Sequence, residues 1–378
     1  MNAASSTILN KPQELNGTFW GITTFFNPSG YKNKIENYRL FRASSRRQGL
    51  SLVTVELAFD DVPFSLNKDE ADILIQLRTS SKNVLWQKEA MLNVALKRLP
   101  DDCDKVAWLD CDILFKNDAW VTETSSRLEK YVVVQPFSFV VCLPFGIRSD
   151  ADLQCFQIES DIDEKSYGVA YGVARFTQTV LGKLSSHGHV GFAWAARRSV
   201  LDKHGFLDQM ILGVSDALMA YAFYNYRNSF SEENYITDFA RQAYTAWLER
   251  VYPDVQGSVG CADGVIFHLW HGDFGKRFYA ERHFIELLHG FDPAKDIRKD
   301  VQGIWVWSSE KPGLHQAVRD YFNKRREEDA RPFIHTILLE PRFRRIYDLL
   351  QHERAYIQYR RAQIAYFVQK VLKAIKVL

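Results

Sequence analysis

The spacing of apolar residues predicts that the chain opens as strand, helix, strand. Phe19-Trp20-Gly21-Ile22-Thr23-Thr24-Phe25-Phe26 is a β-rich run of strand length, followed by the loop Asn27-Pro28-Ser29-Gly30. From Lys34 to Gln48 the apolar positions Ile35, Tyr38, Leu40 and Phe41 fall at helical spacing, and Gly49 closes the segment. Leu50 to Phe59, rich in Val and Leu, is a second strand that ends in Asp60-Asp61. Short links between such elements are the beginning of a parallel α/β sheet.

A short strand is expected over Asp72 to Leu77 and a helix over Trp86 to Leu99, stopped by Pro100. A central strand then runs through Val106-Ala107-Trp108-Leu109-Asp110-Cys111-Asp112-Ile113-Leu114-Phe115. Beyond it the pattern gives a helix from Trp120 to Leu128 and a strand from Tyr131 to Phe139 interrupted at Gln135-Pro136-Phe137. Residues 144 to 187 mix polar and Gly-containing stretches in the manner of a loop insertion. A Gly-led strand follows at Gly188 to Arg198, then a short helix from Ser199 to His204 and a long helix from Ala217 with Asp216 near its N-terminus. Another helix covers Asn234 to Arg250, and Gly264 to Gly272 is a short strand carrying His268 and His271. From Lys311 onward the chain becomes charged and helical. This divides it into a lead-in (1–15), one large α/β domain (16–310) and a helical C-terminal region (311–378).

Composition narrows the class without naming a function. Hydrophobic content of 46% and charged content of 25% are those of a globular protein, and a net charge of +2 gives no overall drive towards nucleic acid. Cys103, Cys111, Cys142, Cys155 and Cys261 show no C-x-x-C spacing, so neither a zinc finger nor a disulfide framework is expected and a reducing compartment is. The first residues lack a basic segment followed by an apolar core, and no apolar run approaches membrane-spanning length. A cytoplasmic location is the resulting expectation.

The chemistry centres on Asp110-Cys111-Asp112. Carboxylates in an apolar strand need a cation or hydrogen-bond donors. In a strand, residues two apart project to the same side, which would aim both acids at one cation with Cys111 turned away. Hard oxygen ligands suit Mg²⁺ or Mn²⁺ bridging to phosphates, whereas an isolated D-x-D is also compatible with solvated turn acids. Ligands of parallel sheets gather at strand carboxyl ends, which makes Thr23, Thr24 and Asp60 candidate nucleotide contacts. Lys88 and Arg277 are candidate diphosphate cations. Trp194 and Trp270 are either sugar-stacking or core residues.

Taken in order, the motifs resemble a metal-dependent nucleotide-sugar glycosyltransferase of GT-A type, nearest to the inverting β-1,4-galactosyltransferases and their bacterial relatives. The points of likeness are Trp86 to Val94 before the D-x-D, the Gly188 to Arg198 strand, Gly205-Phe206, and Leu212-Gly213-Val214-Ser215-Asp216, with His268 and His271 at the spacing of two late metal ligands. The family's Glu-Asp pair is here Ser215-Asp216, and its preceding tryptophan is missing. The resemblance implies a Rossmann-like mixed α/β sheet flanked by helices, with a helical C-terminal extension. It implies Mn²⁺ (or Mg²⁺) held by Asp110, Asp112, His268 and His271, a UDP-sugar donor, a saccharide or glycolipid acceptor, and Asp216 as general base. Two alternatives stay open, a retaining transferase of the glycogenin-like class and a non-catalytic sugar-nucleotide-binding protein on the same fold.

Residues 354–378 place Ile357, Ile364, Val368, Val371, Leu372, Ile375 and Leu378 at helical spacing among Arg and Lys residues, without an acid. Such a helix fits peripheral contact with an anionic inner membrane surface, and equally fits packing on its own domain or in a dimer.

Overall fold

The computed structural model describes residues 9–147, 166–176, 181, 188–227, 236–272, 279–325 and 327–328. In chain order its elements are β1 (Thr18–Phe26), α1 (Lys32–Arg47), β2 (Ser51–Phe59), β3 (Ile73–Thr79), α2 (Lys88–Leu96), β4 (Cys103–Leu109), β5 (Ile113–Phe115) and α3 (Trp120–Lys130). There follow β6 (Val133–Gln135), β7 (Phe139–Cys142), α4 (Val169–Phe176), β8 (Ala193–Arg197), α5 (Arg198–His204), α6 (Ser215–Phe223) and α7 (Asp238–Val255). The described part ends with β9 (Val259–Cys261), β10 (Val265–His268), α8 (Tyr279–Leu288), α9 (Pro293–Asp296), β11 (Ile297–Lys299), β12 (Trp305–Trp307) and α10 (Pro312–Lys324).

Seven strands form the main sheet in the order β3-β2-β1-β4-β8-β6-β9. Pairing is parallel except where β8 meets β4 and β6, so β8 alone is reversed. This is the Rossmann-like mixed sheet flanked by helices. Strand order turns back between β1 and β4, and at such a switch point the flanking loops part and leave a crevice at the carboxyl ends.

Side-chain alternation builds a core on each face. Val106 and Trp108 of β4 join Met91 and Leu92 of α2 and Leu218 of α6, while Ala107 and Leu109 join Phe41 of α1 and Trp120 of α3. Trp194 is core, stacked on Trp108 with ring centroids 6.4 Å apart and its indole N–H given to the Val190 carbonyl at 2.8 Å. Residues 9–15, which read as a loose lead-in, are tied down: buried Arg197 donates to the carbonyls of Leu9 and Lys11, and Lys105 to that of Leu15.

Four sequence expectations change. The D-x-D strand stops at Leu109 and resumes as β5, because Cys111 and Asp112 turn the chain. The Tyr131 to Phe139 segment splits at Pro136 into β6 and β7, which belong to different sheets. The helix after Asp216 is short, ending at Phe223. The pair β11–β12 was not expected; its Trp305 backbone is gripped by the buried Gln87 side chain, which donates to the carbonyl at 2.6 Å and accepts from the N–H at 3.0 Å. Beyond Lys311 the described residues include α10, while residues 329–378, with the amphipathic stretch, lie outside the described residues. Among the described residues no helix is long and apolar enough to cross a membrane.

Candidate active site

A small second sheet, β5-β10-β7, positions at its strand ends the three residues that could hold a metal ion. β10 runs antiparallel to β5, with His268 opposite Ile113, and the Leu269 N–H donates to the Asp112 carbonyl at 2.8 Å. This register sets the turn residue Asp112 beside the end of β10. Asn37 of α1 donates to the Trp270 carbonyl at 3.0 Å and fixes the chain as it turns from His268 to His271.

The result is a cluster of three donors. His271 Nε2 lies 3.3 Å from Asp112 Oδ2, His268 Nε2 lies 3.8 Å from Asp112 Oδ1, and the two Nε2 atoms are 3.1 Å apart. All three ligand atoms fall within 4.8 Å of one another. Donors bound about 2.1 Å from one ion and about 90° apart stand about 3.0 Å from each other, so the spacing fits a divalent cation. Two imidazole nitrogens facing each other over a carboxylate also call for a shared positive charge. Burial works to lower the His268 pKa, but hydrogen bonding to Asp112 and to Cys142 outweighs it and raises the value to about 10.

Asp110 goes elsewhere. It forms an ion pair with Lys88, the first residue of α2, and accepts the Phe192 N–H at 3.1 Å, while its own N–H donates to the Phe192 carbonyl at 2.7 Å. The two acids diverge because they lie in a turn, where the two-residue alternation of a strand does not apply. Desolvation raises the Asp110 carboxyl pKa, and Lys88 opposes that rise. Burial alone would lower the Lys88 pKa, but Asp110, Asp216 and Glu89 raise it, so the ammonium stays charged. Phe192 holds a left-handed backbone (φ 73°), a strained conformation fixed by its two hydrogen bonds to Asp110, and its ring packs 4.9 Å from that of His268.

Asp216 sits in the first turn of α6, after Gly213 (φ 87°) and Val214 (φ 91°), and its Oδ1 accepts the Ala217 N–H at 2.9 Å. The cap position belongs to Val214 rather than to Asp216. Asp216 and Asp110 converge over Gly191, where an added Cβ would lie 2.8 Å from Asp216 Oδ2 and 4.0 Å from Asp110 Oδ2. The absence of a side chain at Gly191 lets the Asp216 carboxylate come this close.

Of the other sequence candidates, Thr23 is buried with its hydroxyl given to the Leu109 carbonyl at 2.7 Å, and Thr24 is half-buried on the same strand. Asp60 is exposed at the end of β2, where hydrogen bonding from Ser81 lowers its pKa. Arg277 lies outside the described residues. A cavity of about 270 Å³ opens at the carboxyl ends of β1 and β2, lined among others by Asn27, Ser29, Glu56 and Phe59.

No protein-family model matches the chain, and no curated protein sequence matches it. Solved structures resemble it in part. A variant of Drosophila β1,4-galactosyltransferase 7, in complex with manganese, UDP-Gal and xylobiose, is 14% identical over 53% of this chain and 59% of that one, with a TM-score of 0.29. The chain thus spans under two thirds of that relative's length. Glucosyl-3-phosphoglycerate synthase of Mycobacterium tuberculosis is 12% identical over 82% and 93% of the two chains, with a TM-score of 0.37. A 4-diphosphocytidyl-2C-methyl-D-erythritol synthase from Anaerococcus prevotii is 14% identical over 66% and 89%, with a TM-score of 0.31.

Sequence reasoning missed Glu89, Phe192, Lys34, Arg325 and Glu327. Glu89 is buried beside Lys88 and accepts the Trp86 indole N–H at 3.1 Å, and burial pushes its pKa up to about 8. Glu327 comes from the charged C-terminal region and reaches His271 from behind. Neither is singled out by its own residue type; both are brought in by the fold.

Proposed function

We propose that the chain is a metal-dependent, inverting glycosyltransferase that moves a hexose from a UDP-sugar to a hydroxyl of a glycan or glycolipid acceptor. The observation that carries this reading is the convergence of Asp112, His268 and His271 on one point beside the carboxyl end of β4. These three residues would hold Mn²⁺ (or Mg²⁺), which when bound neutralises charge on the leaving diphosphate. The same two-imidazole, one-carboxylate set also suits Fe²⁺. The charged Lys88 and the crevice at the switch point are what favour a diphosphate ligand.

In this reading the nucleotide occupies the cavity at the ends of β1 and β2, near Thr24 and Asp60, with its diphosphate towards Lys88. Asp110 holds Lys88 in place and has no seat among the three metal donors. Asp216 takes the proton of the acceptor hydroxyl as that oxygen bonds to the anomeric carbon and the bond to the diphosphate breaks, releasing UDP. Attack opposite the leaving group inverts the anomeric centre. Arg277 is proposed as a second diphosphate cation from its position in the sequence.

The deciding experiment is a titration with Mn²⁺ and a panel of nucleotide sugars, followed by NMR of the product's anomeric configuration. Tight, Mn²⁺-dependent UDP binding with an inverted product supports the proposal. Retention of configuration overturns the inverting mechanism, and absence of UDP binding at saturating Mn²⁺ overturns the whole. Residues 354–378 are proposed to dock the enzyme on an anionic, cytoplasm-facing bilayer. If removing residues 351–378 leaves liposome flotation unchanged, docking by this stretch is wrong.

A further inference from the structure

The end of α10 and the residues after it lie over the metal donors and are fastened there at several points. Phe322 packs against Phe26 and Trp86 with ring centroids 5.5 Å and 6.4 Å away, and its carbonyl accepts the Ser29 hydroxyl at 3.2 Å. Helix α1 has no side-chain cap of its own and no acid in its first turn. Glu328 supplies both from a distance, its Oε1 accepting the backbone N–H groups of Lys32 and of Asn33, the latter at 3.1 Å. Asn33 in turn donates its side-chain amide to the Glu327 carbonyl at 2.6 Å.

These contacts leave Glu327 1% exposed, with a carboxylate that meets Arg325 Nε at 2.7 Å and Lys34 Nζ at 3.0 Å and lies 3.9 Å from His271 Nδ1. The imidazole has two nitrogens on different edges. Nε2 faces Asp112 and His268, and Nδ1 faces Glu327. A carboxylate on the Nδ1 side favours the tautomer with hydrogen on Nδ1, which leaves the Nε2 lone pair for a cation and makes it a stronger donor. Arg325 and Lys34 aim that carboxylate from two sides, Lys34 from more than 290 residues away in the chain.

We infer that Glu327 is a positioning residue for the metal centre, acting through His271, and that Phe322 to Arg325 together with Glu327 and Glu328 form a built-in strap which completes the site. The inference rests on the metal reading above and adds to it a residue that touches neither ion nor substrate.

The test uses the full chain and Mn²⁺ alone, followed by electron paramagnetic resonance, with the ligand-field spectrum of Co²⁺ as a second readout. Glu327→Ala is expected to weaken Mn²⁺ binding about 10- to 100-fold and to shift the Co²⁺ bands, while Glu327→Gln, which keeps an acceptor oxygen, recovers part of the affinity. In a His271→Ala background, Glu327→Ala is expected to cost nothing further. A purely structural role would lower the melting temperature without moving the Co²⁺ bands, and that result overturns the inference, as does wild-type Mn²⁺ affinity in either Glu327 variant. Should Glu327→Ala fail to fold, the isosteric Glu327→Gln decides by the same two readouts. If the wild-type chain binds no Mn²⁺, the metal reading itself has failed and the strap's role falls with it; if wild type binds, His271→Ala binds much more weakly, and the Glu327 variants bind as tightly as wild type, only the inference made here is wrong.

Discussion

Gly191→Ala adds one methyl group at the point where two carboxylates converge. Gly191 is absent from the positive-φ residues, so the backbone accepts alanine without strain. The new Cβ would stand 2.8 Å from Asp216 Oδ2, whereas ordinary contact begins at 3.4 Å, so the oxygen must retreat by 3.4 − 2.8 = 0.6 Å. It can do so, because Oδ2 is the tip of a side chain, and the fold is expected to survive. Displacing a general base by this much costs about 10- to 100-fold in kcat, since a misplacement of about 1 Å is worth up to about 10². That corresponds to about 1.4–2.7 kcal/mol of barrier. None of the proposed Mn²⁺ donors is among the atoms nearest the new Cβ, so Mn²⁺ affinity and the donor KM are expected to stay put. Steady-state transfer kinetics would be measured for Gly191→Ala, Asp216→Asn and the double variant, with Mn²⁺ titrations alongside. Asp216→Asn alone should cost about 10² to 10⁴, and adding Gly191→Ala to it should cost little more. Unchanged kcat in Gly191→Ala, or losses that multiply in the double variant, would refute the assignment of Asp216 as base.

His271→Ala is expected to weaken Mn²⁺ binding by more than about 100-fold, beyond the loss typical of an outer-shell partner, and calorimetric titration showing unaltered affinity would remove it from the metal set. Glu89 has a folded pKa of about 8 against 4.5 when unperturbed, so between those values the folded state holds a proton that the unfolded state has lost, and stability falls as pH rises through this window. Glu89→Gln removes that loss: its melting temperature relative to wild type should climb from pH 5 to pH 8 (roughly the span of the two pKa values) and level off above, and a difference flat in pH contradicts the buried neutral carboxyl. Thr23→Val removes the hydroxyl bonded to the Leu109 carbonyl and is expected to cost about 1 kcal/mol in urea denaturation with the donor KM unchanged. A raised KM without lost stability would instead put the hydroxyl on the nucleotide.

How much of this was written in the chain can be seen at particular residues. The α/β class was legible because burial selects apolar spacing locally: β1, α1 and β2 stand within a few residues of where period and Gly punctuation put them. The candidate donors Asp112, His268 and His271 were legible as residue types, since a carboxylate and imidazoles in apolar strands need a reason to be there. Their partnership was not, because 268 − 112 = 156 residues separate them and only the β5–β10 register brings them together. The divergence of Asp110 from Asp112 hung on whether a strand continued for three more residues, a choice made by pairing with β10 and by the Phe192 contacts. Glu89 and Phe192 lie inside stretches that carry the resemblance but are not singled out there by residue type, and Glu327 carries no pattern at all. Local sequence determined which segments become strands and helices and which of them bear reactive groups, because those depend on near neighbours and on burial. The tertiary structure alone decided which groups face one another, because a site is assembled from strand ends, turns and the strap that carries Glu327, whose order in space is not their order in the chain.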